Sequence, residues 1–239
     1  FLHYKDIKKT TDIAKKIIDG DSHNIYRNLR YYNERGKDVD EEMEFIEYLQ
    51  NEVKEVHDPK ELMGIEGNIR KMYYSAWDKI IDVEIDFQKR VKRPPNNMIN
   101  SLISYINSLV YTTVLGEIYK TALNPTISYL HEPGQRRFSL SLDIAEIFKP
   151  IISDRIIFSV LNKNMISEND FSKESNYLYM KDRAKKVILK EYDKRLDQTI
   201  KHKRLKRNVS YRYLMRLELY KLIKHVTGDK EYRPFKVWW

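Results

Sequence analysis

The chain has 239 residues, 41% of them apolar, enough to bury a substantial core as one large domain or two small ones. Its 44 basic residues outnumber its 35 acidic ones for a formal charge of +9, which makes a polyanion the natural partner. It has no cysteine, which excludes disulfides, thiolate metal sites and cysteine nucleophiles and fits a reducing cytoplasm.

Seven glycines and seven prolines are few for this length, and Lys, Glu, Leu, Ile and Tyr fill the periodic stretches, so the chain reads as nearly all-α. The spacing of Ile7, Ile13, Ala14, Ile17 and Ile18 predicts a helix over 6–19 that ends at Gly20, and a second helix over 24–32 stops near Gly36. An acidic helix follows over 40–53, with Asp40, Glu41 and Glu42 favourably placed at its N-terminal end. Pro59 opens a helix to about residue 80, along which Leu62, Ile65, Ile69, Met72, Tyr73 and Ala76 recur at steps of three and four. Glu66 interrupts that apolar face. A buried, unpartnered carboxylate is costly, so Glu66 demands a cation, a hydrogen-bond cage or a proton.

The double proline in Arg90-Val91-Lys92-Arg93-Pro94-Pro95 forces a loop, and its cations Arg90, Lys92 and Arg93 suit phosphate. Residues 97–121 make the most apolar helix, expected at the centre of the fold, with Tyr105, Asn107 and Tyr111 as polar groups in need of partners. Ser104, Asn107, Ser108, Thr112 and Thr113 interrupt it, so no membrane span is expected. An extended stretch, 127–130, leads to the turn His131-Glu132-Pro133-Gly134, and a helix over 138–148 carries Asp143 and Glu146. Lys149-Pro150 reads as a break before an apolar helix over 151–161, and 162–175 as a polar loop.

A long basic helix is expected next. Over 181–207 twelve cations, among them Lys185, Lys186 and Lys190, face only Asp182, Glu191, Asp193 and Asp197. The last helix covers 208–226 and is closed by Gly228, after which the aromatic tail 232–239 is expected to dock on the body. There is no internal repeat and no break in composition, so one helical domain over 1–239 is the economical description.

Asp143 and Glu146 lie three apart and therefore on one helix face, and His131 stands just upstream on a turn able to fold back over that helix. With Glu66 they make an oxygen-and-nitrogen donor set that suits Mg²⁺ or Mn²⁺. Beside so basic a chain, the reaction to expect is phosphodiester cleavage or transfer, the cation polarising the phosphoryl oxygen while lysines and arginines hold the backbone. The same spacing is equally common on solvated helices, and a histidine on a turn is more often simply hydrogen-bonded there. The residues alone therefore leave two readings open: a metal-dependent nuclease, or a non-catalytic helical scaffold that binds DNA through 181–207.

The run Leu123-Asn124-Pro125-Thr126-Ile127-Ser128-Tyr129-Leu130-His131-Glu132-Pro133-Gly134, continuing through Arg136-Arg137-Phe138-Ser139-Leu140, Asp143 and Glu146, closely resembles the CRISPR adaptation integrase, the universal first protein of those systems. Gly64-Ile65-Glu66-Gly67-Asn68, Arg93-Pro94-Pro95 with Asn100, Asp154-Arg155 and Pro234-Phe235-Lys236 with Trp238-Trp239 are similar to further family segments. The resemblance implies a metal triad of Glu66, His131 and Glu146, with Asp143 as an additional catalytic acid that tunes the site or reaches the metal through water. Arg136 and Arg137 join Arg90, Lys92, Arg93, Lys185, Lys186 and Lys190 as expected nucleic-acid contacts. Asn97 stands where many relatives carry an acid.

It further implies a DNA endonuclease and integrase in which a protospacer 3′-hydroxyl attacks a phosphodiester at the edge of a CRISPR repeat. The family assembles as integrase dimers with a small ferredoxin-like adaptation partner, in the cytoplasm and without a membrane. Members begin with a β-rich dimerisation domain, so this chain is expected to be the C-terminal helical catalytic domain alone, monomeric and poorly active by itself. A transposon-borne integrase of the same family is the alternative within this resemblance. Such relatives often append a helix-turn-helix, for which 1–239 leaves no room.

Overall fold

In the computed structural model, which describes residues 2–87, 89–92, 94–131, 138–174 and 177–238, the helix predicted to end at Gly20 runs on without interruption. After a short α1 (Leu2–Lys5), α2 spans Ile7–Asn33, roughly 40 Å at 1.5 Å per residue. Asp6 caps its first turn by accepting from the Lys9 amide, and Gly36, at φ +82°, closes the turns that follow it. Gly20 is helical for a steric reason. A Cβ there would lie 2.7 Å from Pro234 Cβ, so the missing side chain admits the C-terminal tail against α2.

Helix α3 (Asp40–Glu55) packs on α2, and α4 (Pro59–Ser75) packs on both. The helix predicted to reach residue 80 breaks at Ala76, and α5 (Trp77–Ile80) turns Trp77 fully inward. Burial of a side chain that large contributes about 2–3 kcal/mol, and Tyr73, Tyr74, Phe87 and Phe158 surround it edge-on or tilted. Helix α6 (Met98–Ile118), capped by Asn97, supplies the middle of the core. By length and composition it could cross a membrane, but 56% of its most apolar stretch is buried among the other helices. Of its polar residues Asn107 is buried, while Tyr105 and Tyr111 are half-buried.

Helix α7 (Ser139–Phe148) is buried along its whole length, and the expected break after it is absent. Lys149 keeps helical backbone angles, and Pro150 opens a π-helical turn, Pro150–Asp154, closed by the Asp154 amide on the Lys149 carbonyl at 3.0 Å. Proline is tolerated there because the first N–H groups of a helix need no partner inside it. Helix α8 (Arg155–Asn162) continues directly.

The polar loop predicted over 162–175 contains a 3₁₀ turn and strand β1 (Phe171–Glu174), which pairs antiparallel with β2 (Tyr177–Met180), Phe171 opposite Met180. The basic run is not one helix either. Helix α9 covers Asp182–Asp197, after which β3 (Thr199–Lys201) and β4 (Asn208–Ser210) form a hairpin with Ile200 opposite Val209. Extended Ile200 and Val209 meet across the ladder, the pairing β-branched residues favour. Helix α10 (Tyr211–Val226) follows, and Gly228 at φ +83° ends it.

The tail docks as expected. Tyr232, Phe235 and Val237 are buried, the Phe235 ring stacks on Phe148 at 5.8 Å, and Glu218 accepts from both the Tyr232 hydroxyl (2.6 Å) and the Phe235 amide (3.0 Å).

Candidate active centre

Three helices and one turn converge on a set of buried charges. On α2, Asp21 lies four residues from Ile17 and from Ile25, within the stripe that packs on α4 and α7. On α4, Glu66 and Arg70 share a face, and α7 contributes Asp143 and Glu146, both buried. Asp154 comes from the π-helical turn, and Lys149 caps the start of that turn.

Oxygens of Asp21, Glu66 and Glu146 all lie within 4.8 Å of one another. Between them sits the Arg70 guanidinium: Nη2 is 2.7 Å from Asp21 and 2.8 Å from Glu146, Nε is 3.5 Å from Glu66, and Nη1 is 4.0 Å from Asp154. Lys149 Nζ reaches Glu146 Oε1 at 2.5 Å. Four carboxylates against two cations leave two negative charges when all are ionised, the charge of one divalent cation.

The charges respond accordingly. Burial alone would raise the Glu146 carboxyl, but Lys149, Arg70 and His131 outweigh it and hold the group at about 2. Burial raises Glu66, and Glu146 adds to the rise against Arg70 and Lys149. Asp21 is pushed well above the usual range by burial, only partly offset by Arg70. Burial also lifts Asp154 to about 7, again against Arg70. Carboxyls that resist ionisation side by side mark a place where further positive charge is welcome.

His131 enters from the loop before α7, and Asp143 fixes it. One Asp143 oxygen accepts the amides of Tyr129 (2.6 Å) and Leu130 (3.1 Å); the other accepts the His131 amide (3.0 Å) and lies 2.8 Å from its Nδ1. The buried carboxylate is thus fully partnered, and the loop takes the path that brings imidazole Nε2 to 3.9 Å from Glu146 Oε1. Burial would lower the imidazole, but the Asp143 hydrogen bond raises it on balance.

Of the predicted residues, Glu66, Glu146 and His131 come together, while Asp143 faces His131 rather than the other carboxylates. The donor set fits a hard divalent cation: three carboxylates around one space, and an imidazole oriented through its far nitrogen by a carboxylate, as metal-binding histidines commonly are. Sequence reasoning missed Asp21, Arg70, Lys149 and Asp154. The available signal was the one that singled out Glu66, a charge on an apolar face: Asp21 lies among isoleucines of α2, and Arg70 is one turn beyond Glu66.

The expected nucleic-acid contacts divide. Arg90 turns inward, donating to Val91 O, Asn100 O and Asn100 Oδ1 through Nη1 and to Ser104 Oγ through Nη2, which pins the proline loop to α6. Lys92 is exposed, and its ammonium is pushed down by partial desolvation and by Lys149 while Glu146 and Glu66 oppose this, which places it by the centre. Lys185 is half-buried, 3.1 Å from Asp182 and over the Tyr179 ring; Lys186 and Lys190 are exposed on α9. Arg93, Arg136 and Arg137 lie outside the described residues.

Fold and centre together define a helical protein built around a buried carboxylate–histidine site of the kind that holds a hard cation. A family model described as CRISPR associated protein Cas1 matches residues 1–194, and the chain belongs to the Cas1 family. It is 60% identical over 237 residues to the CRISPR-associated endonuclease Cas1 of Fusobacterium nucleatum subsp. nucleatum, covering 99% of this chain and 70% of that relative. The solved structure of TM1797, a Cas1 protein from Thermotoga maritima, superposes with a TM-score of 0.86 at 39% identity, over 97% of this chain and 70% of that one. A casposase bound to integration product shares the fold, with a TM-score of 0.88 at 24% identity over 98% of this chain and 69% of its own. So does a chain of a Cas6-RT-Cas1–Cas2 complex, at 0.85 and 18% identity over 96% of this chain and 25% of its own.

Proposed function

We propose that this chain is the catalytic part of a metal-dependent DNA endonuclease and integrase that inserts protospacer DNA at the edge of a CRISPR repeat. The observation that carries the reading is the convergence of Asp21, Glu66 and Glu146 oxygens within 4.8 Å, with His131 held beside them by Asp143. The name of the endonuclease relative supports the same chemistry, and the casposase, a fold relative, was captured on an integration product.

Glu66, Glu146 and His131 would hold Mg²⁺ or Mn²⁺, with Asp21 as a further oxygen donor. A cation there would act as a Lewis acid toward the phosphoryl oxygen. The chain's own groups do the rest. Asp143 keeps Nδ1 of His131 engaged so that Nε2 faces the carboxylates. Arg70 and Lys149 hold Glu146 ionised despite burial, and Arg70 ties Asp21 to it in place. Lys92 beside the centre, and Lys186 and Lys190 on α9, offer sequence-independent contacts to phosphates. Assembly with a small ferredoxin-like partner is consistent with the Cas1–Cas2 complex whose chain shares this fold.

The test is strand transfer of a labelled protospacer duplex into repeat-bearing plasmid with Mn²⁺. Glu66→Ala and His131→Ala are expected to lower transfer by about 100-fold or more while DNA affinity changes by only a few-fold. Transfer by Glu66→Ala at the parent rate would refute the site; DNA binding by every variant with transfer by none, including the parent joined to a β-rich N-terminal domain, would favour the scaffold.

A further inference from the structure

On the far side of the π-helical turn from the carboxylates lies a second feature. Asp154 and Arg155 are consecutive, so their Cα atoms are about 3.8 Å apart, yet Asp154 lies by Arg70 while Arg155 lies over the Tyr31 ring. Arg155 lines a cleft of about 400 Å³ with Tyr31, Arg35, Lys163 and Arg195, and this continues into a recess of about 120 Å³ reached by Lys194.

The arginines of this trough are fixed by neutral partners. The Arg35 and Arg155 guanidinium carbons stand 3.6 Å and 4.0 Å from the Tyr31 ring centroid. Two guanidiniums that close to one centroid cannot share a face, so the ring is held between them. Arg35 donates to the Tyr31 carbonyl; Arg195 donates twice to the Ile151 carbonyl and once to Gln198, and its own guanidinium covers Tyr211. No carboxylate among the described residues forms an ion pair with Arg35, Arg155, Lys163, Lys194 or Arg195.

Helix ends do not cancel this charge. The C-terminal ends of α2, α8 and α9 point here and contribute about half a negative charge each; with Glu191 they offset roughly half of the five positive charges. Holding like charges over one ring without a counterion is unfavourable for the protein alone, and an anionic ligand would relieve it. Because both faces of Tyr31 are covered, that ring offers no platform for stacking a base, and the trough presents mainly N–H edges. That is recognition of a phosphate backbone without regard to sequence.

We propose that this trough binds the phosphodiester backbone of a DNA strand that flanks the reacting phosphate, one turn away from the carboxylates. The assignment of DNA rests on the function proposed above; the cationic trough itself does not. An acidic peptide is the competing occupant, since its carboxylates would fit the same guanidinium edges.

The test uses the full chain and the double reversal Lys163→Glu/Lys194→Glu, both side chains exposed and outside the centre, with Lys163→Ala/Lys194→Ala as the milder form. Fluorescence anisotropy of a labelled single strand and a labelled duplex is followed across a salt series. Loss of two phosphate contacts lowers the slope of log affinity against log salt by about 1.4 for the single strand or 1.8 for the duplex, and the reversal is expected to cut affinity at least tenfold at low salt. Unchanged affinity and slope for both DNAs overturns the proposal. So does a reversal that abolishes binding of a labelled polyglutamate peptide and spares DNA. Glu66→Gln in parallel separates the two readings: the lysine variant losing slope supports the trough whether or not Glu66→Gln still transfers strands.

Discussion

Asp143 and His131 are joined twice, through the backbone amide of His131 at 3.0 Å and through its ring nitrogen at 2.8 Å, so one carboxylate fixes both the path of the loop and the direction of the imidazole. Asp143→Asn keeps the size but replaces one acceptor by a donor, which would face amides that themselves donate. Mn²⁺ affinity is expected to fall by about 10- to 100-fold, and stability by about 1–3 kcal/mol. Isothermal titration with Mn²⁺ and a denaturant melt check the two effects separately. Wild-type affinity in a destabilised variant would assign Asp143 to loop folding alone.

Arg70 stands where four carboxylates meet. Arg70→Ala leaves buried acids without their cation and is expected to cost about 3–5 kcal/mol. Added Mn²⁺ should recover more stability in this variant than in the parent, because the ion takes over the missing charge. Thermal melts with and without Mn²⁺ measure this, and an equal rise in Tm for both proteins would mean that the ion binds away from these acids.

Away from the centre, Glu117 on α6 is buried and joined to Arg216 at 2.6 Å and Lys120 at 2.8 Å. Burial raises its carboxyl, but the hydrogen bonds from Arg216 and Lys120 win and set it below the ordinary 4.5. A depressed folded-state value stabilises the fold above pH 4.5, and the benefit is lost as pH falls from there through the folded value. Glu117→Gln should therefore melt below the parent near neutral pH, by about 1–2 kcal/mol, with the gap closing in acid. A gap that does not change with pH would mean that the pair contributes by packing.

Gly20→Ala places a methyl 2.7 Å from Pro234 Cβ. Overpacking of this kind costs about 1–3 kcal/mol, so the variant is expected to loosen the tail and lower Tm. Pro234→Gly removes the atoms met, and the double variant should lose less than the two single losses combined. Simple additivity would show that the tail is not what Gly20 accommodates.

Much of the architecture was legible because apolar spacing reports burial directly. It gave α3, α6, α7 and the docking of the tail, and it exposed Glu66 as a charge on an inward face. Gly20 misled because glycine ends helices for one reason, freedom at positive φ, and sits inside them for another, room for a neighbour 214 residues along the chain. Cutting α2 there removed Asp21 from the stripe that would have marked it. Pro150 misled likewise: its ring ends a helix that must donate at that position, but the π-helical turn leaves that donor unneeded. The centre is assembled from segments whose charges cancel only in three dimensions, and no local pattern announces Arg70 between Asp21 and Glu146.

Asn24 ties the tail into this centre. Its carboxamide donates to the Ile147 carbonyl at 2.8 Å, next to Glu146, and to the Phe235 carbonyl at 3.1 Å, and accepts from the Val237 amide at 2.9 Å. Asn24, which joins helices α2 and α7 beside Asp21 and Glu146, thus also anchors residues that the ribosome adds more than two hundred positions after it. Translation reaches both acids before the tail that Asn24 anchors. A nascent chain that has not yet added 235–237 can already form the Asn24–Ile147 and Arg70 links between these helices, and the tail then adds the remaining two bonds of Asn24.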